Sequence, residues 1–283
     1  MVIGSLLAEG TRILSDAGIP TARLDAELLL ASLLGRERLY LALHRKEAVA
    51  EDVRQAFLAQ IARREKHEPL AYIVGCKEFM SLSFSVGPGV LIPRPDTETL
   101  VEFVIRQLSD VKEPHILDIC TGSGAIAISL AHYLPESRVE AWDIEEVCIE
   151  TARKNATSNG VAERVSVIRQ DALAPLSSPK TFDAVVSNPP YIPDSVVAGL
   201  MPEVRAFEPH IALCGGTDGL LFYRQITKNA VLLLKSGGLL AYEIGYDQAD
   251  AVTTLLRDSG AFSDIGVLHD LADNPRVVYG RKK

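Results

Sequence analysis

From residue 115 to residue 280, short apolar runs of strand length alternate with amphipathic runs of helix length. Apolar strands of this kind are typical of a parallel sheet that is covered on both faces. The alternation predicts an α/β fold with a doubly wound, mostly parallel sheet of seven strands, in which the last two form a pair that can be antiparallel. The predicted strands are 115–119, 138–142, 165–169, 182–187, 238–243, 265–268 and 276–280, and the predicted helices between them are 124–133, 146–158, 219–234 and 247–259.

The first 75 residues have a different pattern, with leucine and isoleucine recurring at the spacing of amphipathic helices. Turn signals at Gly18-Ile19-Pro20 and Leu34-Gly35 separate these helices, and a further helix is predicted at 51–65. Reactive side chains do not cluster here. We therefore expect a small helical bundle that recognises a partner and leaves the chemistry to the rest of the chain.

A short β segment is predicted between these two regions. Residues 79–86 partly alternate, Gly87-Pro88-Gly89 is a turn signal and residues 90–92 are apolar, which together predict a β-hairpin. Asp96 and Thr97 are suitable N-caps for a following helix that would end near residue 108. The expected domains are a helical domain at 1–75, a hairpin linker at 76–95 and an α/β catalytic domain at 96–283.

Composition narrows the partner and the compartment. Residues 1–75 carry ten basic and ten acidic side chains, so the net charge of −8 lies entirely in the remainder of the chain. A nucleic-acid-binding protein usually has a basic face that neutralises phosphates. The acidic balance therefore argues against DNA or RNA as the main partner. The four cysteines are scattered without a metal-binding spacing, so we expect no metal and a reducing cytoplasm. We see neither a membrane span nor a signal peptide in the sequence.

The motif Asn188-Pro189-Pro190-Tyr191 follows the apolar run 182–187. Each proline removes a backbone donor and fixes φ, so the sheet cannot continue and a rigid turn must follow. Open α/β sheets bind their ligands at such strand ends. The turn offers an amide side chain, an aromatic ring and unpaired carbonyls, a set that suits a planar –NH2 group, although a purely structural turn is the alternative.

A glycine loop, Cys120-Thr121-Gly122-Ser123-Gly124, joins the first predicted strand of the sheet to a helix. Glycines let the backbone approach a ligand closely, and the helix N-terminus adds free N–H groups. Asp143, at the end of the next strand, can accept hydrogen bonds from both hydroxyls of a ribose. The same loop also fits a dinucleotide-binding fingerprint, so NAD is an alternative ligand.

Two features favour a cofactor other than NAD. Asp118 precedes the loop and places a negative group near the site, which suits a cationic amino group better than a pyrophosphate. The turn at Asn188 also has no use in a dehydrogenase. Asp171-Ala172, after the third strand, is a candidate contact for an adenine edge, with a simple loop cap as the alternative.

Taken together, these motifs resemble the class I S-adenosylmethionine-dependent methyltransferases. The helical N-terminal region, the segment Leu91-Ile92-Pro93-Arg94-Pro95-Asp96-Thr97-Glu98 and the segment 208–220 (EPHIALCGGTDGL) narrow the resemblance to the HemK/PrmC family of protein-(glutamine-N5) methyltransferases. The resemblance covers nearly the whole chain. It implies S-adenosylmethionine as cofactor, S-adenosylhomocysteine as product, and the glutamine of the Gly-Gly-Gln motif of peptide chain release factors as the methylated group.

The resemblance also implies roles for individual residues. Asn188, Pro189 and Tyr191 are the expected catalytic residues, with the Asn188 side-chain oxygen and the Pro189 carbonyl accepting the two N–H bonds of the substrate amide and Tyr191 packing on its plane. The expected substrate-binding set adds Pro190, Glu208 and Arg94. The expected cofactor-binding residues are Asp118, Cys120, Thr121, Gly122, Ser123, Gly124, Asp143, Ile144, Asp171, Ala172 and Asn188.

Cys120 departs from the family loop, which commonly has glycine there, and a small cysteine fits this position if its φ is negative. We expect a monomer that binds no membrane and no nucleic acid. Two other functions stay open: a nucleic-acid adenine-N6 or guanine-N2 methyltransferase that uses the same turn, and a non-catalytic nucleotide-binding adaptor.

Overall fold

The computed structural model describes residues 1–176 and 181–283. The chain forms two compact units: unit 1 contains Met1–Cys76 together with Met201–Phe207, and unit 2 contains Lys77–Leu200 and Glu208–Lys283.

The α-helices are numbered in chain order. They are α1 (Ile3–Asp16), α2 (Ala22–Leu34), α3 (Arg38–Leu43), α4 (Glu51–Glu65), α5 (Leu70–Val74), α6 (Glu98–Leu108), α7 (Ala125–Tyr133), α8 (Glu146–Ser158), α9 (Pro202–Phe207), α10 (Leu221–Leu233) and α11 (Ala249–Asp258). The strands are β1 (Cys76–Phe79), β2 (Leu82–Ser85), β3 (His115–Ile119), β4 (Arg138–Asp143), β5 (Val165–Arg169), β6 (Phe182–Ser187), β7 (Leu234–Glu243), β8 (Phe262–His269) and β9 (Pro275–Lys282).

Unit 1 is a helical bundle around one apolar core. Gly10 of α1 faces Phe57 of α4 so closely that an added Cβ would lie 2.6 Å from the ring, so only glycine allows this approach. A buried ion pair adds to the core: Arg64 Nε donates to Asp25 Oδ2 at 2.7 Å, and Arg64 Nη1 donates to Glu203 Oε2 of α9 at 2.9 Å. Charges this deeply buried need such partners.

Unit 2 contains a seven-stranded sheet in the order β5-β4-β3-β6-β7-β9-β8. Strands β3 to β7 pair in parallel, whereas β9 pairs antiparallel with both β7 and β8. The chain moves outward from β3 through β4 to β5, and then resumes at β6 on the other side of β3. The direction therefore reverses between β3 and β6, and the carboxyl ends of these two strands form the expected ligand crevice.

Apolar clusters cover both faces of the sheet. This double cover explains why the strands are nearly continuous apolar runs in sequence. The predicted doubly wound, mostly parallel sheet with its antiparallel end pair is confirmed. In the residues that the structure describes, no helix is both long enough and apolar enough to cross a bilayer.

The predicted hairpin forms, but its turn lies at a different place. Strands β1 and β2 form a two-stranded sheet that turns at Met80-Ser81, while residues 87–92 are outside any strand. Met80 and Ser81 both have positive φ, 49° and 57°, without glycine or asparagine to signal such a turn. Contacts from other segments hold it: Glu98 Oε1 accepts from the Met80 N–H at 2.8 Å, and Tyr133 Oη donates to the Met80 carbonyl at 2.8 Å.

Candidate active site

A cavity in unit 2 opens at the carboxyl ends of β3, β4, β5 and β6. It is lined by segments that follow these strands and by the segment before α6. Most of the predicted site residues line it, namely Arg94, Cys120, Thr121, Gly122, Ser123, Asp143, Ile144, Asp171, Ala172, Asn188 and Pro190. The predicted residues outside the lining are Asp118, Gly124, Pro189, Tyr191 and Glu208.

The glycine loop turns sharply between β3 and α7. Gly122 and Gly124 have φ values of 56° and 81°, in the left-handed region that favours glycine. A Cβ on Gly124 would lie 2.8 Å from Ile128, whereas one on Gly122 would meet nothing within 4 Å. The positive φ of Gly124 and the closeness of Ile128 and Ala152 together favour glycine there, whereas Gly122 leaves open space at the cavity.

Cys120 begins this loop with φ of +63°, so the condition of a negative φ is not met. A side chain in the left-handed region costs about 1–2 kcal/mol relative to glycine. Burial raises the pKa of the Cys120 thiol well above its ordinary value, with nearby Asp143 acting in the same direction. The thiol therefore stays neutral and acts as a small packing group at the cavity wall.

Asp143 ends β4 and ties the loop to this strand. Its Oδ2 accepts from the Gly122 N–H at 2.9 Å, and its Oδ1 accepts from the Glu145 N–H at 3.1 Å. Burial raises the pKa of Asp143, and the backbone N–H groups partly offset that shift. A carboxylate oxygen can accept more than one hydrogen bond, so this group can still accept from ligand hydroxyls in the cavity.

Asp118 is fully buried beneath the loop. Its Oδ2 accepts from Thr121 Oγ1 at 2.6 Å and from the Ala127 N–H at 3.3 Å, while its Oδ1 has no hydrogen-bond partner among the described residues. Burial raises the pKa of Asp118 to about 7. In this position the side chain holds the loop in shape, and its direct contact with a cofactor stays a prediction.

Asn155 of α8 is a loop support that the sequence did not reveal. Its side chain is buried and donates to the Ser123 carbonyl at 2.9 Å and to the Ser85 carbonyl at 3.0 Å, and it accepts from the Ser85 N–H at 2.8 Å. It thereby joins the glycine loop to the hairpin. An asparagine within an amphipathic helix gives no sequence signal that distinguishes this role from a surface position.

Asn188 extends from the end of β6 into the cavity, and its Nδ2 donates to Thr97 Oγ1 at 3.3 Å. Tyr191 packs instead against the apolar cluster that contains Tyr223 and Tyr242, and burial raises the pKa of its phenol to about 12. Gln248 Nε2 donates to the Tyr191 carbonyl at 2.9 Å. The turn is therefore held on several sides, with the Asn188 amide at the cavity.

The glycine-containing loop at 213–219 packs directly on this turn. Ile192 N–H donates to the Leu213 carbonyl, and Gly215 N–H donates to the Ile192 carbonyl, both at 2.9 Å. A Cβ on Gly215 would lie 2.8 Å from the Pro190 oxygen, and one on Gly219 would lie 2.3 Å from the Tyr191 oxygen. These glycines are needed because two backbone segments touch, which explains why the motifs 188–191 and 213–219 occur together.

Glu208 and Arg94 form an ion pair. Glu208 is buried and also accepts from the Ile92 N–H at 3.4 Å, whereas Arg94 is partly exposed and lines the cavity. Glu208 therefore supports Arg94 and the segment before α6. Substrate binding by either residue stays a prediction.

Two residues near Asn188 were missed as site residues. Thr97 was predicted only as an N-cap, yet it lines the cavity and accepts a hydrogen bond from Asn188. Glu243, at the end of β7, is 1% exposed, and burial raises the pKa of its carboxyl to about 7. A carboxylate that ends a parallel strand next to β6 is the signal that identifies Glu243. Among the described residues, His, Cys, Asp and Glu form no group of three or more that could hold a metal ion.

Two sequence-family models match the chain. The model of the PrmC N-terminal domain matches residues 5–75, and that of the methyltransferase small domain matches residues 94–201. Among solved structures, the hMettl16 catalytic domain in complex with the MAT2A 3′UTR hairpin 6 has a TM-score of 0.57 at 17% identity and covers 82% of each chain. A methyltransferase from Pyrococcus furiosus has a TM-score of 0.53 at 17% identity, covering 82% of this chain and 99% of its own. At this identity, these structures show a shared fold.

Sequence relatives are much nearer. The release factor glutamine methyltransferase of Moorella thermoacetica is 46% identical over 287 residues, and that of Clostridium botulinum is 38% identical over 283 residues, each covering 100% of both chains. That of Geobacter sulfurreducens is 41% identical over 271 residues, covering 95% of this chain and 92% of its own. The chain therefore belongs to the family of release factor glutamine methyltransferases.

Proposed function

We propose that this protein transfers a methyl group from S-adenosylmethionine to the side-chain nitrogen (N5) of the glutamine in the Gly-Gly-Gln motif of peptide chain release factors. The observation that carries the proposal is the Asn188 amide, held by Thr97 at the cavity wall beside the glycine loop. The names of the full-length relatives support the same substrate class.

The residues of the cavity fit this cofactor. Gly122 leaves open space where a side chain would stand, and Asp143 can accept hydrogen bonds from ribose hydroxyls. Ile144, Ala172 and Phe222 line the cavity with apolar groups that suit a flat base. When bound, S-adenosylmethionine would supply an electrophilic methyl group on a sulfonium sulfur.

An amide nitrogen is a poor nucleophile because its lone pair is delocalised into the carbonyl. The protein must therefore hold the nitrogen in position and stabilise the positive charge that develops on it. In our proposal, Asn188 Oδ1 accepts one N–H of the glutamine amide and the Pro189 carbonyl accepts the other. Proline cannot donate a hydrogen bond, so the turn around Asn188 is rich in acceptors.

Positioning and electrostatics then supply the rate enhancement. Fixing two reactants in line can supply several kcal/mol, and dipoles that are already oriented stabilise developing charge without reorganisation. Hydrogen bonds from Gln248 and from the 213–219 loop hold the turn at 188–191, and so keep the proposed acceptors on Asn188 and Pro189 in place. Tyr191 lies outside the cavity lining, so the substrate amide could pack on its ring only where the ring reaches the rim of the cavity. The role of Tyr191 stays a prediction.

A labelled methyl-transfer assay tests the proposal. Purified release factor, its variant with alanine for the glutamine of the Gly-Gly-Gln motif, and duplex DNA are each incubated with the enzyme and labelled S-adenosylmethionine. We expect label on the intact factor alone. Label on DNA alone would instead identify a nucleic-acid methyltransferase, and cofactor binding without any transfer would favour the adaptor.

We further propose that the protein works as a monomer in the cytoplasm. Its four cysteines are free, which suits a reducing compartment.

A further inference from the structure

The segment that follows β5 forms one wall of the cavity, which is lined by Gln170, Asp171, Ala172 and Leu173. Within the segment, Asp171 Oδ1 accepts from the Leu173 N–H at 2.8 Å, and the Ala174 N–H donates to the Asp171 carbonyl at 3.2 Å. These hydrogen bonds shape a tight turn from within. The position of the turn against the rest of the cavity depends on contacts from other elements.

Asn229 of α10 supplies such a contact. Its Nδ2 donates to the Ala174 carbonyl at 3.1 Å and to the Ala172 carbonyl at 3.4 Å, and its Oδ1 accepts from Gln225 Nε2 at 3.1 Å. A carbonyl oxygen can only accept, so the NH2 group of the amide must face the turn. Asn229 is 3% exposed and is outside the cavity lining, so it holds the wall without being placed to touch a ligand.

The same face of α10 packs against this wall. Phe222, seven residues before Asn229 and therefore on the same face of the helix, lines the cavity. Ile226 and Leu233 belong to that face as well, and they share one apolar cluster with Ala172. One helix face thus supplies a cavity group, apolar contacts and a pair of hydrogen bonds to the 170–174 turn.

A buried asparagine in an otherwise apolar helix face is not explained by the helix or by the core. Asparagine is a weaker helix former than leucine, and a buried amide is costly unless its hydrogen bonds are made. We propose that Asn229 is a positioning residue, which holds the 170–174 wall where it can receive the base of the cofactor. This inference rests on the proposed function, since it takes S-adenosylmethionine as the ligand of the cavity.

Calorimetry of S-adenosylmethionine binding tests the inference. Asn229→Leu has a similar size and makes neither hydrogen bond to the turn. We expect it to raise the Kd about tenfold, which is what a buried hydrogen bond is typically worth. At saturating cofactor, kcat should change by less than about twofold, because the turn at Asn188 is held by other segments.

Two further variants separate this role from a general loss of stability. Gln225→Met is milder, at a partly exposed position, and should raise the Kd about twofold by removing the hydrogen bond that holds the Asn229 oxygen. Thr227→Val is the matched control on the same helix: Thr227 is 4% exposed, and its hydroxyl is hydrogen-bonded to that of Tyr242, which lies outside the cavity lining. This control should leave the Kd unchanged.

A measurement without cofactor completes the test. Hydrogen exchange of the backbone N–H groups in a peptide that covers residues 170–176 should be at least about threefold faster in Asn229→Leu, and natural in Thr227→Val. A natural Kd in both Asn229→Leu and Gln225→Met, or an equal rise in Thr227→Val, would overturn the positioning inference alone. If the natural protein did not bind S-adenosylmethionine, the proposed function would be overturned and this inference with it.

Discussion

The carboxylate of Asp143 accepts a hydrogen bond from the backbone N–H of Gly122 at 2.9 Å, which joins the end of β4 to the glycine loop after β3. One side chain thus shapes the loop and faces the cavity. Asp143→Ala should raise the Kd for S-adenosylmethionine by at least about tenfold, since it removes a charged acceptor. Calorimetry measures this, with Asp143→Asn as the control that keeps the shape. Unchanged binding in Asp143→Ala would remove Asp143 from the cofactor site.

Asn188→Ala removes the proposed acceptor for the substrate amide. We expect turnover to fall by roughly 10²–10³, the loss typical of one oriented polar group at a developing charge. The Kd for S-adenosylmethionine should change much less, so calorimetry and steady-state kinetics together separate the two roles. Near-normal turnover would mean that the acceptor lies elsewhere.

Glu243 should make stability depend on pH. Burial raises its pKa from an ordinary 4.5 to about 7, so between these values the folded protein holds a proton that the unfolded chain has released. Its contribution is therefore fully present below about pH 4.5 and is lost as pH rises toward 7. Glu243→Gln should raise the free energy of unfolding at about pH 8 by on the order of 2–3 kcal/mol.

Urea unfolding of both proteins at about pH 8 and at about pH 5 checks this. The advantage of Glu243→Gln should shrink strongly at the lower pH. A difference that is equal at both pH values would mean that the carboxyl group titrates normally.

The left-handed backbone at Cys120 predicts an unusual order of stabilities. At an ordinary loop position, a protein with glycine is less stable than one with alanine, because glycine gives the unfolded chain more conformational freedom. At φ of +63° the steric strain outweighs this, so Cys120→Gly should be more stable than Cys120→Ala by about 1 kcal/mol. Thermal and urea unfolding of the two variants give the difference, and alanine as the more stable residue would contradict the assigned backbone conformation.

The buried ion pair between Arg64 and Asp25 in unit 1 predicts that removing one partner lowers the free energy of unfolding strongly, and that removing both restores most of it. Arg64 and Asp25 are 5% and 4% exposed, so Arg64→Met leaves Asp25 as an unpaired buried charge, at a cost of about 3–5 kcal/mol. Adding Asp25→Leu should recover most of that loss. The exposed pair Arg12–Asp16 is the control, where Arg12→Met should change the free energy of unfolding by less than about 1 kcal/mol. A small loss for Arg64→Met would show that water reaches Asp25.

Periodicity was enough to predict the sheet. The apolar runs of β3, β5 and β6 were placed at their observed bounds, because strands buried on both faces have a strong pattern. Strand β7 begins at Leu234, four residues before the predicted start. The prediction missed these residues because lysine, serine and glycine follow Leu234 and interrupt the apolar pattern. The short helices α3, α5 and α9 were missed because five or six residues are too few to show a helical period.

The residues of the candidate site also fall into two groups, those that the sequence predicted and those that it did not. Residues within local motifs, such as Gly122 and Asn188, were predicted because the motif itself carries the turn chemistry. Thr97, Asn155 and Glu243 were not, because their importance depends on neighbours that are distant in sequence. The turn at Met80-Ser81 shows the same limit, since contacts from Glu98 and Tyr133 impose a conformation that these two residues do not favour.

The most direct test of the central claim is to locate the transferred methyl group. A release factor incubated with this enzyme and S-adenosylmethionine is digested, and the peptide that contains its Gly-Gly-Gln motif is fragmented by mass spectrometry. We predict a single methyl group on the side-chain nitrogen of the glutamine, at a level sharply reduced with Asn188→Ala. A methyl group on another residue, or equal methylation by Asn188→Ala, would contradict the account.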